Sequence, residues 1–170
     1  MAATTTTGGK NVILGPLGHR DQASLYGLFA RVVEDGEGFP HAPPLTPEVF
    51  SATWVSGVSL TVVARVVTAA GEEVVGGYYL RPNFVGRAAH IANAGYVVAA
   101  PWRRCGVGRA LIEDSVARAP IIGFDAIQFN LVFASNPARA LYEELGWQAV
   151  GRVPDAVDGE DAVVYWRRVG

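Results

Sequence analysis

The stretch Arg103-Arg104-Cys105-Gly106-Val107-Gly108-Arg109 lies between an apolar run ending near Ala99 and a segment that carries Leu111, Ile112 and Ser115 at helical spacing. A strand, a glycine turn and a helix start therefore follow one another here. Glycine lets the backbone approach a ligand closely, and the N–H groups of a helix's first turn have no partner inside the helix. Three arginines add charge-assisted donors, so the segment suits an anion, and a pyrophosphate better than a single carboxylate. That points to a nucleotide-like ligand. The dinucleotide fingerprint is not met, because Arg109-Ala110-Leu111 follows Gly106-Val107-Gly108 and the third glycine is missing. No Gly-Lys-Ser/Thr run makes a P-loop. The remaining alternative is an ordinary surface turn with solvated arginines.

Outward from this turn, the periodicity alternates between two and 3.6. Val12–Leu14 reads as a strand, and Leu25, Leu28, Phe29 and Val32 mark a helix over 21–33. Prolines and glycines between Gly36 and Pro47 impose a loop, after which Thr46-Pro47-Glu48 opens a second helix running to about Trp54. Leu60–Thr68 and Glu73–Arg81 read as strands joined through Ala69-Ala70-Gly71-Glu72, and His90–Ala99 as the third strand of that meander. A helix over 106–119, a strand over Ala126–Phe133, a helix over Pro137–Leu145 and two final strands complete the chain. The predicted class is α/β, with about seven strands in a mixed, largely antiparallel sheet and about four flanking helices.

Composition narrows the function. The chain has 170 residues, half of them hydrophobic, and a formal net charge of −2. It is long enough for one core, so a single domain over 11–170 is expected, with residues 1–10 as a flexible tail. The small negative charge supplies no general reason to bind nucleic acid or an anionic membrane. A lone cysteine, Cys105, excludes an internal disulfide, and no His/Cys spacing resembles a metal site. Without a leader-like or membrane-spanning apolar run, a reducing cytoplasm is the expected compartment.

Two polar residues stand out downstream. Asn136-Pro137 is a strong helix start, which sets Tyr142 on the flank of the apolar stripe formed with Ala138, Leu141 and Leu145. On the preceding strand, alternation puts Gln128, Asn130 and Val132 on one face and Ile127, Phe129, Leu131 and Phe133 on the other. A buried tyrosine and a structural amide are the plain readings of Tyr142 and Asn130.

The run Arg103-x-x-Gly106-x-Gly108 matches the Q/R-x-x-G-x-G/A signature of the GNAT acetyltransferases, and Asn136, Tyr142 and Gly146-Trp147 resemble that family's Asn…Tyr…Gly-Phe pattern. One departure is Pro101, two residues before Arg103 rather than three. The resemblance implies the GNAT fold with splayed central strands, acetyl-CoA or another acyl-CoA as donor, and no metal. It implies that Arg103, Arg104, Cys105, Gly106, Val107, Gly108 and Arg109 hold the coenzyme A pyrophosphate. The backbone of Val97 and Val98 would bond the pantetheine arm, Asn136 would contact the same region, and Tyr142 would protonate the departing thiolate. Gly38-Phe39-Pro40, Tyr79–Asn83, Gly86-Arg87, His90–Gly95 and Phe129–Phe133 resemble a branch that includes yeast-type enzymes acetylating azetidine-2-carboxylate. By that likeness Asn93 contacts the substrate carboxylate and Asn130 activates the substrate.

The implied function is transfer of a small acyl group to the amine of a small molecule by direct attack in a ternary complex. Phe39 and His41, on the proline-rich loop, would close over the acceptor. His90 is a candidate base by its chemistry, and a structural histidine by its place at a strand edge. Cys105 has no His or Asn/Asp partner placeable from sequence, which favours direct transfer over an acyl-cysteine. A carrier-protein-bound acyl donor and a non-catalytic acyl-CoA sensor are the alternatives. A homodimer is expected by resemblance alone, through the final strands and Trp166.

Overall fold

A computed structural model describes residues 2–5, 11–69 and 71–170. The strands are β1 (Ala2–Thr5), β2 (Asn11–Pro16), β3 (Leu60–Thr68), β4 (Gly71–Pro82), β5 (Ile91–Val98), β6 (Ala126–Phe133), β7 (Gln148–Val157) and β8 (Glu160–Arg168). The helices are α1 (Gln22–Glu34), α2 (Pro47–Trp54), α3 (Val107–Arg118) and α4 (Arg139–Glu144). One eight-stranded sheet runs β1-β2-β3-β4-β5-β6-β8-β7, and every neighbouring pair is antiparallel except β5 with β6.

From β2 onward the elements follow the order read from the sequence. The eighth strand, β1, falls within residues 1–10, the segment expected as a flexible tail, and pairs with β2. β2 would otherwise be a sheet edge, whose open N–H and C=O groups a short extended segment satisfies. Met1 and Thr6–Lys10 of that tail, and Ala70 of the expected hairpin connection, lie outside the described residues.

Strand alternation divides the core into two layers. Val62, Tyr78 and Ala94 pack toward α3 with Val107, Leu111 and Ile112. Their chain neighbours Val63 and Tyr79 face the other way, onto Leu25 and Phe29 of α1 and Trp54 of α2. Consecutive residues thus serve opposite faces, as the period of two requires. At the far side of this second layer, Arg65 of β3 is buried against Asp21, with Nη2 2.5 Å from Oδ2. The guanidinium holds the Asp21 carboxyl below the usual carboxylate range, with help from the Gly18 N–H.

Two expectations shift. The alternation expected for β6 breaks at a bulge, where Asn130 and Leu131 together face the single residue between Tyr165 and Val163 of β8. The extra residue returns Val132 to the Phe129 side and leaves Asn130 exposed. The final helix begins at Arg139 rather than Pro137. Asn136 still satisfies a leading N–H, its Oδ1 accepting from Ala138 N at 2.9 Å, but it does so in a turn just ahead of the helix.

Candidate active site

β5 and β6 pair only from Ile91 with Ala126 to Asn93 with Gln128; beyond that point no pairing joins them. Asn93 marks the parting, since its Nδ2 donates to the Gln128 carbonyl at 3.1 Å. β5 continues on its other side with β4 as far as Val98. The edge of β5 facing β6 therefore runs on to Val98 without a strand partner, forming one side of a wedge.

At the end of that wedge is the glycine turn. Gly106 has φ 82° and Arg104 φ 59°, two left-handed residues that turn the chain tightly into α3. No side chain caps α3, whereas Thr46 caps α2 by accepting from Val49 N. The first-turn N–H groups of α3 are thus left for an anion, at the positive end of the helix dipole. Cationic side chains flank them, but two already hold carboxylates. Arg103 Nη2 lies 2.6 Å from Glu37, and Arg109 Nη2 lies 2.6 Å from Glu144. Arg103 Nε also donates to the Val98 carbonyl at 3.2 Å, tying the turn to β5. Cys105 is half-buried, its Sγ turned to the Arg103 carbonyl at 3.4 Å.

Where β5 and β6 part, a cavity of about 450 Å³ opens on the α1/α2 face. His41, Thr53, Tyr79, Arg81, Asn83, Asn93 and Asn130 supply most of its polar lining. Asn130 and Asn83 form a reciprocal amide pair, at 2.7 and 3.0 Å, and Gln128 Nε2 donates to the same Asn130 oxygen at 3.0 Å. The Tyr79 hydroxyl donates to Asn93 Oδ1 at 3.3 Å. Arg81 donates to the Thr53 and Ala52 carbonyls at 2.6 and 3.3 Å and lies 4.4 Å over the Tyr79 ring. Burial, followed by the Arg81 charge, pushes His41 below its ordinary range, so the imidazole is neutral at neutral pH.

Phe39 does not line the cavity; it backs it. Its ring packs on Phe29 at 5.0 Å and near His41 at 5.9 Å. Gly95 makes room for it, because a Cβ there would come within 2.9 Å of the Phe39 ring and 2.7 Å of Tyr79.

Tyr142, on α4, points into the opposite layer among Phe129 at 4.8 Å, Trp147 and Tyr96. Burial, with Tyr165 nearby, pushes its hydroxyl up to about 12, so it carries its proton at neutral pH. Asn136 reaches toward the loop on the other side, its Nδ2 3.9 Å from where a Gly38 Cβ would stand. His90 is exposed, its Nδ1 engaged with the Arg87 carbonyl at 2.9 Å, and stands outside the cavity lining.

Splayed strands, a bare helix N-terminus ringed by arginines and a separate polar cavity are the parts of a group-transfer site. The family model described as acetyltransferase (GNAT) family matches residues 34–147, which span the wedge, the turn and the cavity. The chain belongs to the acetyltransferase (GNAT) family, whose acyl donor is acyl-CoA.

The chain is similar to N-acetyltransferase aca1 of Schizosaccharomyces pombe, with 40% identity over 84 residues, or 49% of this chain and 40% of that protein. It spans less than half the length of the curated relatives it matches. Among solved structures, a GCN5-related N-acetyltransferase from Kribbella flavida superposes with a TM-score of 0.83 at 35% identity, over 92% of this chain and 97% of that one. A phosphinothricin acetyltransferase from Sinorhizobium meliloti, in complex with AcCoA, has a TM-score of 0.79 at 22% identity, over 98% and 90% of the two chains, which shows the shared fold.

The structure gathers Asn93, Asn130 and His41 around one cavity and Arg103 to Arg109 around one turn. It keeps Tyr142 on the far side of the wedge, while Asn136 reaches toward Gly38. Sequence reading missed Thr53, Tyr79, Arg81 and Asn83 as cavity residues. The signal was a polar run, Arg81-Pro82-Asn83, at the end of an apolar strand; only tertiary packing shows that it faces Asn130. Among the described residues no group of three His, Cys, Asp or Glu is arranged to hold a metal, and no helix is long and apolar enough to cross a membrane.

Proposed function

We propose that residues 11–170 act as one acyltransferase domain, moving an acetyl or other small acyl group from acyl-CoA to the amine of a small amino or imino acid. The observation that carries this reading is the parting of β5 and β6 after Asn93 and Gln128. It sets donors for an anion at one end and a polar cavity at the other, so that two substrates meet between them. Binding both in one cleft supplies the orientation that amine attack needs.

The donor's pyrophosphate takes the bare N-terminus of α3 between Gly106 and Arg109, with Arg103 and Arg104 alongside. The backbone of β5 at Val97 and Val98 meets the pantetheine, and Asn136 closes that side. The fit rests on α3 lacking a cap while its turn is lined with cations. A β5 amide stabilises the oxyanion that forms on attack. Tyr142, protonated and shielded from water, gives its proton to the departing sulfur. Asn93 and Asn130, held by Tyr79, Gln128 and Asn83, orient the acceptor. Similarity to an N-acetyltransferase and to a phosphinothricin acetyltransferase supports an amine as acceptor. The cytoplasm and a homodimer belong to the same reading. Val150 and Val153, exposed on β7 at the end of the sheet, support a second copy pairing there.

The test is thiol release from acetyl-CoA against a panel of small amines, including azetidine-2-carboxylate and proline. Release that depends on one acceptor is the expected result. Tight coenzyme A binding without turnover of any amine overturns it.

A further inference from the structure

We propose that His41, through Nδ1, takes the proton from the acceptor amine; the inference rests on the acyltransferase reading above. Its starting point is Thr53, in the last turn of α2. A hydroxyl has one proton, and that of Thr53 goes to the Val49 carbonyl at 2.7 Å. Toward the His41 Nε2 atom, 3.3 Å away, the same oxygen can therefore only accept. Nε2 must carry the ring proton. In a neutral imidazole the other nitrogen is then a bare lone pair. That nitrogen, Nδ1, is buried and has no hydrogen-bond partner among the described residues. Buried polar atoms are nearly always paired, so an orphan nitrogen on a residue that lines the cavity marks where a ligand's donor arrives. Reaching it requires a small rotation of the ring toward the cavity that it lines.

The surroundings keep the base free. Arg81, fixed by the Ala52 and Thr53 carbonyls, faces His41 from β4 and opposes a second positive charge. Tyr79, beside Arg81, is held protonated by burial. Glu37, the carboxylate on the same loop, is paired with Arg103. Phe29 of α1 and Phe39 flank the imidazole at 5.3 and 5.9 Å with apolar rings. Thr53 is thus a positioning residue for both cations and bases, its carbonyl holding Arg81 and its hydroxyl selecting the His41 tautomer.

The step balances. The amine lone pair bonds to the thioester carbonyl carbon, the carbon–sulfur bond breaks, nitrogen loses its proton to His41 Nδ1, and sulfur gains one from Tyr142. Solvent then takes the proton from the imidazolium and returns one to Tyr142, leaving amide and free thiol.

The experiment measures kcat/KM for the acceptor at saturating acetyl-CoA from about pH 5 to about 8. Below the His41 pKa the wild type should fall about a hundredfold per pH unit, because both amine and imidazole must be neutral. His41→Asn should lower the rate by about 10²–10⁴ and fall only about tenfold per unit, set by the amine alone. Coenzyme A binding unchanged in that variant shows that it folds. Thr53→Val should lose less activity and keep the steeper slope. Independently of turnover, ¹⁵N-histidine NMR should show His41 as the Nε2–H tautomer in the wild type and mixed in Thr53→Val. A His41→Asn profile parallel to the wild type, or an Nδ1–H tautomer, overturns the proposal while leaving the acyltransferase intact. A wild type that turns over no amine overturns the functional reading instead, and the proton transfer with it.

Discussion

The donor side of this site draws its groups from consecutive residues, Arg103 to Arg109, whereas the acceptor cavity draws on the proline-rich loop, α2, β4, β5 and β6. The donor turn offers mostly backbone, aimed by two left-handed residues and a helix start. The cavity offers side chains whose polar atoms are committed to one another, as in the Asn83–Asn130 pair. Backbone recognition tolerates change in the side chains around it. A network of paired amides does not, because removing one member strands its partner. The donor half can thus serve one cofactor, while each cavity residue narrows the choice of acceptor.

If this contrast holds, changes on the two sides separate in kinetics, and Tyr142, lying across the wedge, belongs to neither. Tyr142→Phe should lower kcat by about 10²–10⁴ with both KM values nearly unchanged, measured by thiol release. A change in acceptor KM alone would move Tyr142 into the cavity's half. Asn130→Ala strands the Asn83 amide, and a drop in acceptor kcat/KM of about ten- to a hundredfold is expected, with coenzyme A affinity unaffected. Arg103→Gln should do the reverse, weakening coenzyme A by about tenfold in calorimetry and leaving acceptor KM alone. The smallest effect tests a link between the halves, the Glu37–Arg103 pair. Glu37→Gln frees Arg103 for the pyrophosphate and should tighten coenzyme A by about two- to fivefold, since an exposed pair is weak. An unchanged affinity would show that Arg103 does not meet the donor.

The legibility of the two halves in the sequence differs in the same way. The turn was readable because its chemistry is local: glycine spacing, arginines and a helix start occur together within seven residues. The four helices and the strands from β2 onward were readable from periodicity together with local cap and turn residues. The β6 bulge was not, since an extra residue in one strand is defined only against its partner β8. Val132 consequently sits with Phe129, opposite to its alternation. The strand at Ala2–Thr5 escaped for the same reason, as Thr-rich polar residues extend there only because β2 has an edge to fill. His41 and Asn93 were picked out singly. Thr53, which fixes the tautomer of one, and Arg81, whose charge adds to burial in keeping that ring neutral, were invisible as partners.

The sequence by itself determined the order of the elements, the anion-binding turn and the family signature around it, because each rests on contacts between residues close along the chain. Only the tertiary structure decided where β5 and β6 part, which side of that wedge Tyr142 occupies and which side chains share the cavity. Those depend on pairings between segments tens of residues apart, where one bulge or one glycine, such as Gly95 under Phe39, sets what can approach.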